Sequence, residues 1–154
     1  MTALTSDRVT GYSLGDLLAI PVAGGECIYC GALVCANADG CAVPAADAAG
    51  LVFEGIATER ADNDNGDDGD VHVVVRRRGR FRLDYRGALT QAAMAARVCA
   101  VDDHTVDAAN NVTHEVHVGR IDRIEGPGEC WVYIDGAVEA GRSWNEPTTT
   151  TAGG

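Results

Sequence analysis

The chain has 154 residues, 46% hydrophobic but only 5% aromatic, and carries a formal charge of −11. One domain of this length buries roughly 70% of the surface its unfolded chain exposes, so no disulfide is needed for it to fold. The acidic balance excludes a protein that holds nucleic acid through its phosphates, and no apolar run in the sequence approaches a membrane span.

All twelve basic residues are arginine. Beside abundant alanine, glycine and aspartate, the missing lysine reads as GC-rich coding rather than a chemical choice. Met1 to Asp16 has no sustained period and is expected to be an N-terminal arm. The apolar stretch from Leu14 to Val22 contains Asp16 and Pro21 and lacks a basic lead, so no export signal is expected.

Leu17 to Val22 reads as a first short strand. Gly24-Gly25 then turns the chain into Glu26 to Ala36, and Asn37-Ala38-Asp39-Gly40 turns it again before CAVP, which predicts a hairpin. Ala45 to Gly50 is expected to be one helical turn, and Leu51 to Glu59 a strand with an internal glycine.

Asp62 to Asp70, DNDNGDDGD, has five aspartates and no apolar residue, so it is read as a solvated loop. It leads into Val71 to Leu83, VHVVVRRRGRFRL, the clearest strand in the chain. Val71, Val73, Val75, Phe81 and Leu83 share one face, and His72, Val74, Arg76, Arg78, Arg80 and Arg82 the other. Arg77 and Gly79 interrupt the pattern, which predicts a bulge or a close backbone approach. The aspartate loop is expected to neutralise part of this arginine row.

Thr90 is placed to cap a short helix through Gln91 to Ala96. Val98 to Val101 and the segment near Val106 read as short strands about an Asp102-Asp103 turn. Glu115 to Glu125 and Glu129 to Ile134 are two longer strands joined by Gly126-Pro127-Gly128, with a bulge expected near Gly119. Residues 139 to 154 read as a tail that is mobile unless something docks it. The whole is expected to be mostly β, a single compact barrel or sandwich over residues 17 to 138 with one short helix and extended termini.

Several residue groups point to chemistry. Cys27-Ile28-Tyr29-Cys30-Gly31 has the C-x-x-C-G form of a zinc knuckle, but a second pair of ligands is missing and an extended strand points the two thiols apart. A redox pair would need a helix N-terminus, whereas Gly31 leads into a strand. Cys35 and Cys41 flank the Asn37 to Gly40 turn nearly symmetrically and are the best candidates for a disulfide, against the simpler reading of most of the six cysteines as buried apolar thiols. The aspartate loop lacks the ligand spacing of an EF-hand. His114 and His117 are expected on opposite faces of a strand, and His104 in a turn, with no H-E-x-x-H or G-x-S-x-G around them. No metal, cofactor or catalytic residue is assigned. The arginine row has two readings, a solvated face whose exposed pairs contribute about 0 to 1 kcal/mol each, or a docking face for an acidic partner.

The order of segments GECIYCGALVCANADGCAVP, VFEGIATERA, GDVHVVVRRRGRFRL, VCAVDDHTV and VGRIDRIEGPGECWVYID resembles the capsid cement, or head decoration, proteins of tailed bacteriophages. The matching residues are Gly31 to Val34, Glu54 to Ala57, Val73 to Phe81, Val98 to Val106 and Val118 to Ile134, within Gly24 to Asp135. The resemblance implies a β-tulip domain without catalytic residues, a homo-oligomer with trimer favoured over dimer, and the outer surface of the major capsid protein as partner, on the virion exterior. The interface residues then expected are Arg76, Arg78, Arg80 and Arg82 of the strand, and Arg8 of an arm able to reach neighbouring subunits. The many cysteines and the Thr-rich tail depart from the family pattern.

Two further functions fit the sequence. A surface-display or glycan-binding β-module needs an exposed aromatic platform, which Trp131 within a strand and Trp144 in the tail do not readily supply. A thiol or metal enzyme would use Cys27 and Cys30.

Overall fold

A computed structural model describes residues 2–135, and among these the regular structure is almost entirely strand. The first half supplies β1 (Leu17–Pro21), β2 (Cys27–Ile28), β3 (Leu33–Ala36), β4 (Ala42–Pro44), β5 (Val52–Ala57), β6 (Ala61–Asp62) and β7 (His72–Arg76). Five of them form an antiparallel sheet in the order β1-β7-β5-β3-β4, and β2 with β6 makes a small separate ribbon. The sheet curls, so that Val22, just past β1, bridges Ala42 of β4. Ile20, Val22, Ile28, Val34, Val73 and Val75 fill the resulting core.

The second half supplies β8 (Arg78–Tyr85), β9 (Arg97–Ala100), β10 (Thr105–Ala108), β11 (His117–Gly126) and β12 (Glu129–Asp135), which close into a barrel in the order β10-β8-β12-β11-β9. Only the β10–β8 pair is parallel. Leu83, Val98, Val106, Val118, Ile121 and Val132 line its core. Leu33, Cys35, Phe53 and Ile56 join the same core from β3 and β5, so these two strands form a wall between the two cores. A bulge makes this possible: Val34 pairs with Gly55 but Cys35 with Phe53, which leaves Glu54 as the extra residue and brings Phe53 and Ile56 to one face. Gly55 sits there at φ +153 with the carbonyl of Arg76 in the space a side chain would take.

Several expectations need correction. Val71 to Leu83 is two strands rather than one: the chain leaves the curled sheet at Arg77 and enters the barrel. The odd-numbered apolar face persists across the break, yet Val73 and Val75 enter one core and Leu83 the other. Gly79 lies in regular register with Ile134 and shows no bulge; its φ of +124 lets the Phe81 ring approach. The helix expected after Thr90 is a single 3-10 turn, Gln91–Ala93, and the Thr90 side chain makes no capping bond. Six residues are too few to offset helix nucleation, and Ala95, at φ +67, already turns the chain toward β9. No helical turn forms over Ala45 to Gly50. The bulge expected near Gly119 is present, as a register shift between His117 and Gly119 against β9. Residues 139 to 154 lie outside the described residues.

Candidate functional site

β8 alternates strictly, with Leu83 and Tyr85 buried while Arg78, Arg80 and Arg82 stand on the barrel exterior. Each of the three meets a carboxylate from β12 or, across it, from β11. Arg78 Nε lies 3.9 Å from Asp135, Arg80 Nε 2.6 Å from Asp122, and Arg82 Nη2 3.4 Å from Glu129. The expected partner, the aspartate loop, does not supply these charges. Its carboxylates serve the local backbone instead: Asp68 accepts from the Gly24 amide and Asp70 from the Asp67 amide. Buried Asn63 aims the two Nδ2 hydrogens at the carbonyls of Val22, Ala23 and Asp67, which lie 3.1, 3.3 and 2.8 Å away. The loop is thus a folded cap over the end of β1.

The arginine row is also split. Arg76 belongs to β7, where it pairs in register with Leu17 of the edge strand β1 and with Ile56 of β5. Arg8 lies on the exposed arm. Arg77, where the chain changes sheet, is half-buried with Nη2 3.3 Å from Glu54. Burial raises the Glu54 pKa, and Arg77 opposes that shift.

Arg86, just beyond β8, makes the best-built pair. Its Nε donates to Asp107 Oδ2 at 2.8 Å and its Nη2 to the Asn111 carbonyl at 2.6 Å. The Asp107 side chain is 3% exposed. Burial pushes its pKa upward, but Arg86, the Ala108 amide and Asn111 together hold the carboxyl below its ordinary value.

The six cysteines are all free thiols, so the Cys35–Cys41 disulfide is not formed. The turn closes through Asn37 N to Cys41 O, while Cys35 stands opposite Val43. The two cysteines are therefore a diagonal pair rather than a directly opposed one, a spacing of about 7–8 Å that disfavours an S–S bond. Burial pushes the thiols of Cys35 and Cys99 up to about 12 and that of Cys130 to about 11. Cys27 lies on β2, and Cys30 lies in the next turn, its Sγ 3.5 Å from the Thr58 carbonyl.

Among the described residues only Asp102, Asp103 and His104 bring three possible metal-ligating atoms together. Their contacts already serve the turn: Asp102 Oδ1 accepts from the His104 and Thr105 amides, and His104 Nδ1 lies 2.9 Å from Asp103. Asp103 and then Asp102 raise the His104 pKa. His114 precedes β11 instead of lying on it. There Asp47 accepts from the Thr113 and His114 amides at 2.9 and 2.6 Å, which ties the 45–50 loop to the entry of β11.

Two features were not visible in the sequence. On the arm, Val9 and Tyr12 are 98% and 87% exposed, and Leu4 and Leu14 are exposed beside them. On β12, Cys130, Val132 and Ile134 enter the core, so Trp131 and Tyr133 face outward opposite Arg82 and Arg80 of β8. Strict alternation in a barrel strand is the signal that could have shown this. Comparison with protein-family models, curated proteins and solved structures finds no match to this chain.

Proposed function

We propose that the chain is a capsid cement protein of a tailed bacteriophage, which binds the outer surface of the major capsid lattice and stabilises the head. The observation that supports this most is the arm. Leu4, Val9, Tyr12 and Leu14 expose large apolar side chains on a segment that has no strand partner among the described residues, and that segment runs into β1, whose outer edge pairs with no other described strand along exposed Leu17 and Leu18. Fifteen extended residues reach about 50 Å, enough to lie along a neighbouring subunit. An apolar arm beside an open sheet edge associates through side-chain burial and added main-chain pairing. The resemblance in segment order supplies the identity of the neighbour, and the acidic exterior suits a position away from DNA.

In this reading the attachment surface is the arm with Arg8, the β1 edge, and Arg76 alongside it. Arg78, Arg80 and Arg82 each already face a carboxylate of the same chain, and in this reading these exposed pairs contribute little to docking. The chain assembles as a homo-oligomer, with a trimer favoured, and acts without turnover. The test is co-sedimentation with capsids from the phage whose genome encodes the chain, prepared without it. The unaltered protein should bind saturably, and Val9→Asp with Tyr12→Asp should abolish binding while its circular dichroism spectrum stays unchanged. Failure of the unaltered protein to bind, or equal binding by the variant, contradicts the proposal.

A further inference from the structure

We infer that the outer face of β8, β12 and β11 carries a saccharide-binding site, a groove floored by Trp131 with Tyr133 exposed beside it on the same face, and that its ligands are neutral sugars. The register places Arg82 and Arg123 on either side of Trp131, and Arg80 and Arg120 on either side of Tyr133. A shallow groove of about 230 Å³ opens over this face, lined by Arg80, Asp122, Arg123 and Trp131. That is below the ~300 Å³ at which pockets for drug-sized ligands begin, and it suits a sugar ring or two. Trp131 donates Nε1–H to Glu125 at 3.2 Å, which fixes the plane of the partly buried indole. Tyr133, 47% exposed, follows on the same face at a strand spacing of about 7 Å. Two aromatic rings so spaced offer flat apolar surface to the C–H faces of a sugar.

The charge pattern selects the ligand. Arg80 is paired with Asp122 at 2.6 Å, Arg82 with Glu129 at 3.4 Å and Arg123 with Glu125 at 3.7 Å. An anion, whether phosphate, uronic acid or an acidic protein segment, would have to displace a carboxylate and approach a chain of charge −11. A neutral polyol displaces nothing. The guanidinium N–H groups not used in the pairs and the free lone pairs of the carboxylates remain as donors and acceptors for hydroxyls. The face lies on barrel strands separate from the arm and β1, so the inference does not depend on the capsid reading.

The test uses the full chain carrying Trp144→Phe, so that Trp131 is the reporting indole. It is titrated with a panel of neutral hexoses and their short oligomers, and with uronic and sialylated sugars for comparison. A saturable fluorescence change is expected with at least one neutral saccharide, unchanged at high salt. Tyr133→Ala and Arg80→Gln, both at exposed positions, should each weaken it on the order of tenfold without altering thermal unfolding by more than a few degrees. Three results overturn the inference: no response to any neutral sugar, a response confined to acidic sugars and lost in salt, or one that both variants leave intact. Shielding of Trp131 and Tyr133 from hydroxyl-radical labelling in the assembled particle would also overturn it, because the face would then be a protein interface.

Discussion

Replacing Arg86 by methionine should cost far more stability than the same change at Arg82, although both residues pair with a carboxylate close to β8. Arg82 and Glu129 are 53% and 39% exposed and 3.4 Å apart, so water screens both charges and the pair contributes about 0 to 1 kcal/mol. Arg86 meets a side chain that is 3% exposed, at 2.8 Å. Its loss leaves Asp107 with only the Ala108 amide and Asn111, both on Oδ1. Stranding one partner of a buried pair costs about 3–5 kcal/mol. Arg86 itself is 47% exposed, and water entering its place lowers the expected loss to about 2–3 kcal/mol, the scale of hydrogen bonds to a charged group. At roughly 2–4 °C per kcal/mol for a chain near this length, Arg86→Met should lower the melting temperature by about 4–12 °C, against at most about 4 °C for Arg82→Met. Urea unfolding followed by circular dichroism gives the free energies directly. Adding Asp107→Leu to Arg86→Met should restore part of the loss by removing the stranded charge. Equal costs for the two arginine changes, or no recovery in the double variant, would refute the assignment of Arg86–Asp107 as the anchoring pair.

Gly119→Ala should destabilise the barrel by about 1–3 kcal/mol, the usual range for overpacking, because the new methyl would meet the Tyr133 carbonyl and Val132; unfolding at the unaltered midpoint would show that the bulge can shift. Asp47 is held below its ordinary pKa by the Thr113 amide and then by His114, and Asp107 by its three partners against burial. Their stabilisation is therefore full above the unfolded carboxylate value near ~3.9 and is lost as pH falls through the lower folded values. A pH series of urea midpoints should steepen below about pH 4, and less so in Asp107→Asn. Thiol alkylation of the native chain at mildly alkaline pH should modify Cys27 and Cys30 only, with Cys35, Cys41, Cys99 and Cys130 reacting after unfolding; labelling of the buried four at the same rate would contradict their burial.

The inward faces were legible wherever one residue in two enters a core. Val73, Val75 and Leu83, the β3–β4 hairpin and the Gly119 bulge were all read from local pattern. Long-range partition was not legible. The apolar parity resumes in the same phase after Arg77 and Gly79, so the interruption reads as a bulge in one strand rather than as the passage from one core to another. The arginine partners Asp122, Glu129 and Asp135 lie roughly 40 to 60 residues along the chain, and only the closing of the barrel brings them to β8. The aspartate loop, adjacent in sequence, was the local choice, but Asp70 serves the loop's own Asp67 amide and Asp68 the Gly24 amide. Local symmetry misled in the same way at Cys35 and Cys41, where the hydrogen-bonded closure sits at Asn37 and Cys41 and offsets the thiols. Trp131 was set aside as a strand residue, yet in a barrel every second strand residue faces out.

The most direct measurement of the central claim is quantitative mass spectrometry of purified virions, with the copy number of the chain set against that of the major capsid protein. A capsid cement predicts a fixed, high ratio that reflects repeated positions on the lattice. Absence of the chain from particles, or only a few copies in each, would contradict it.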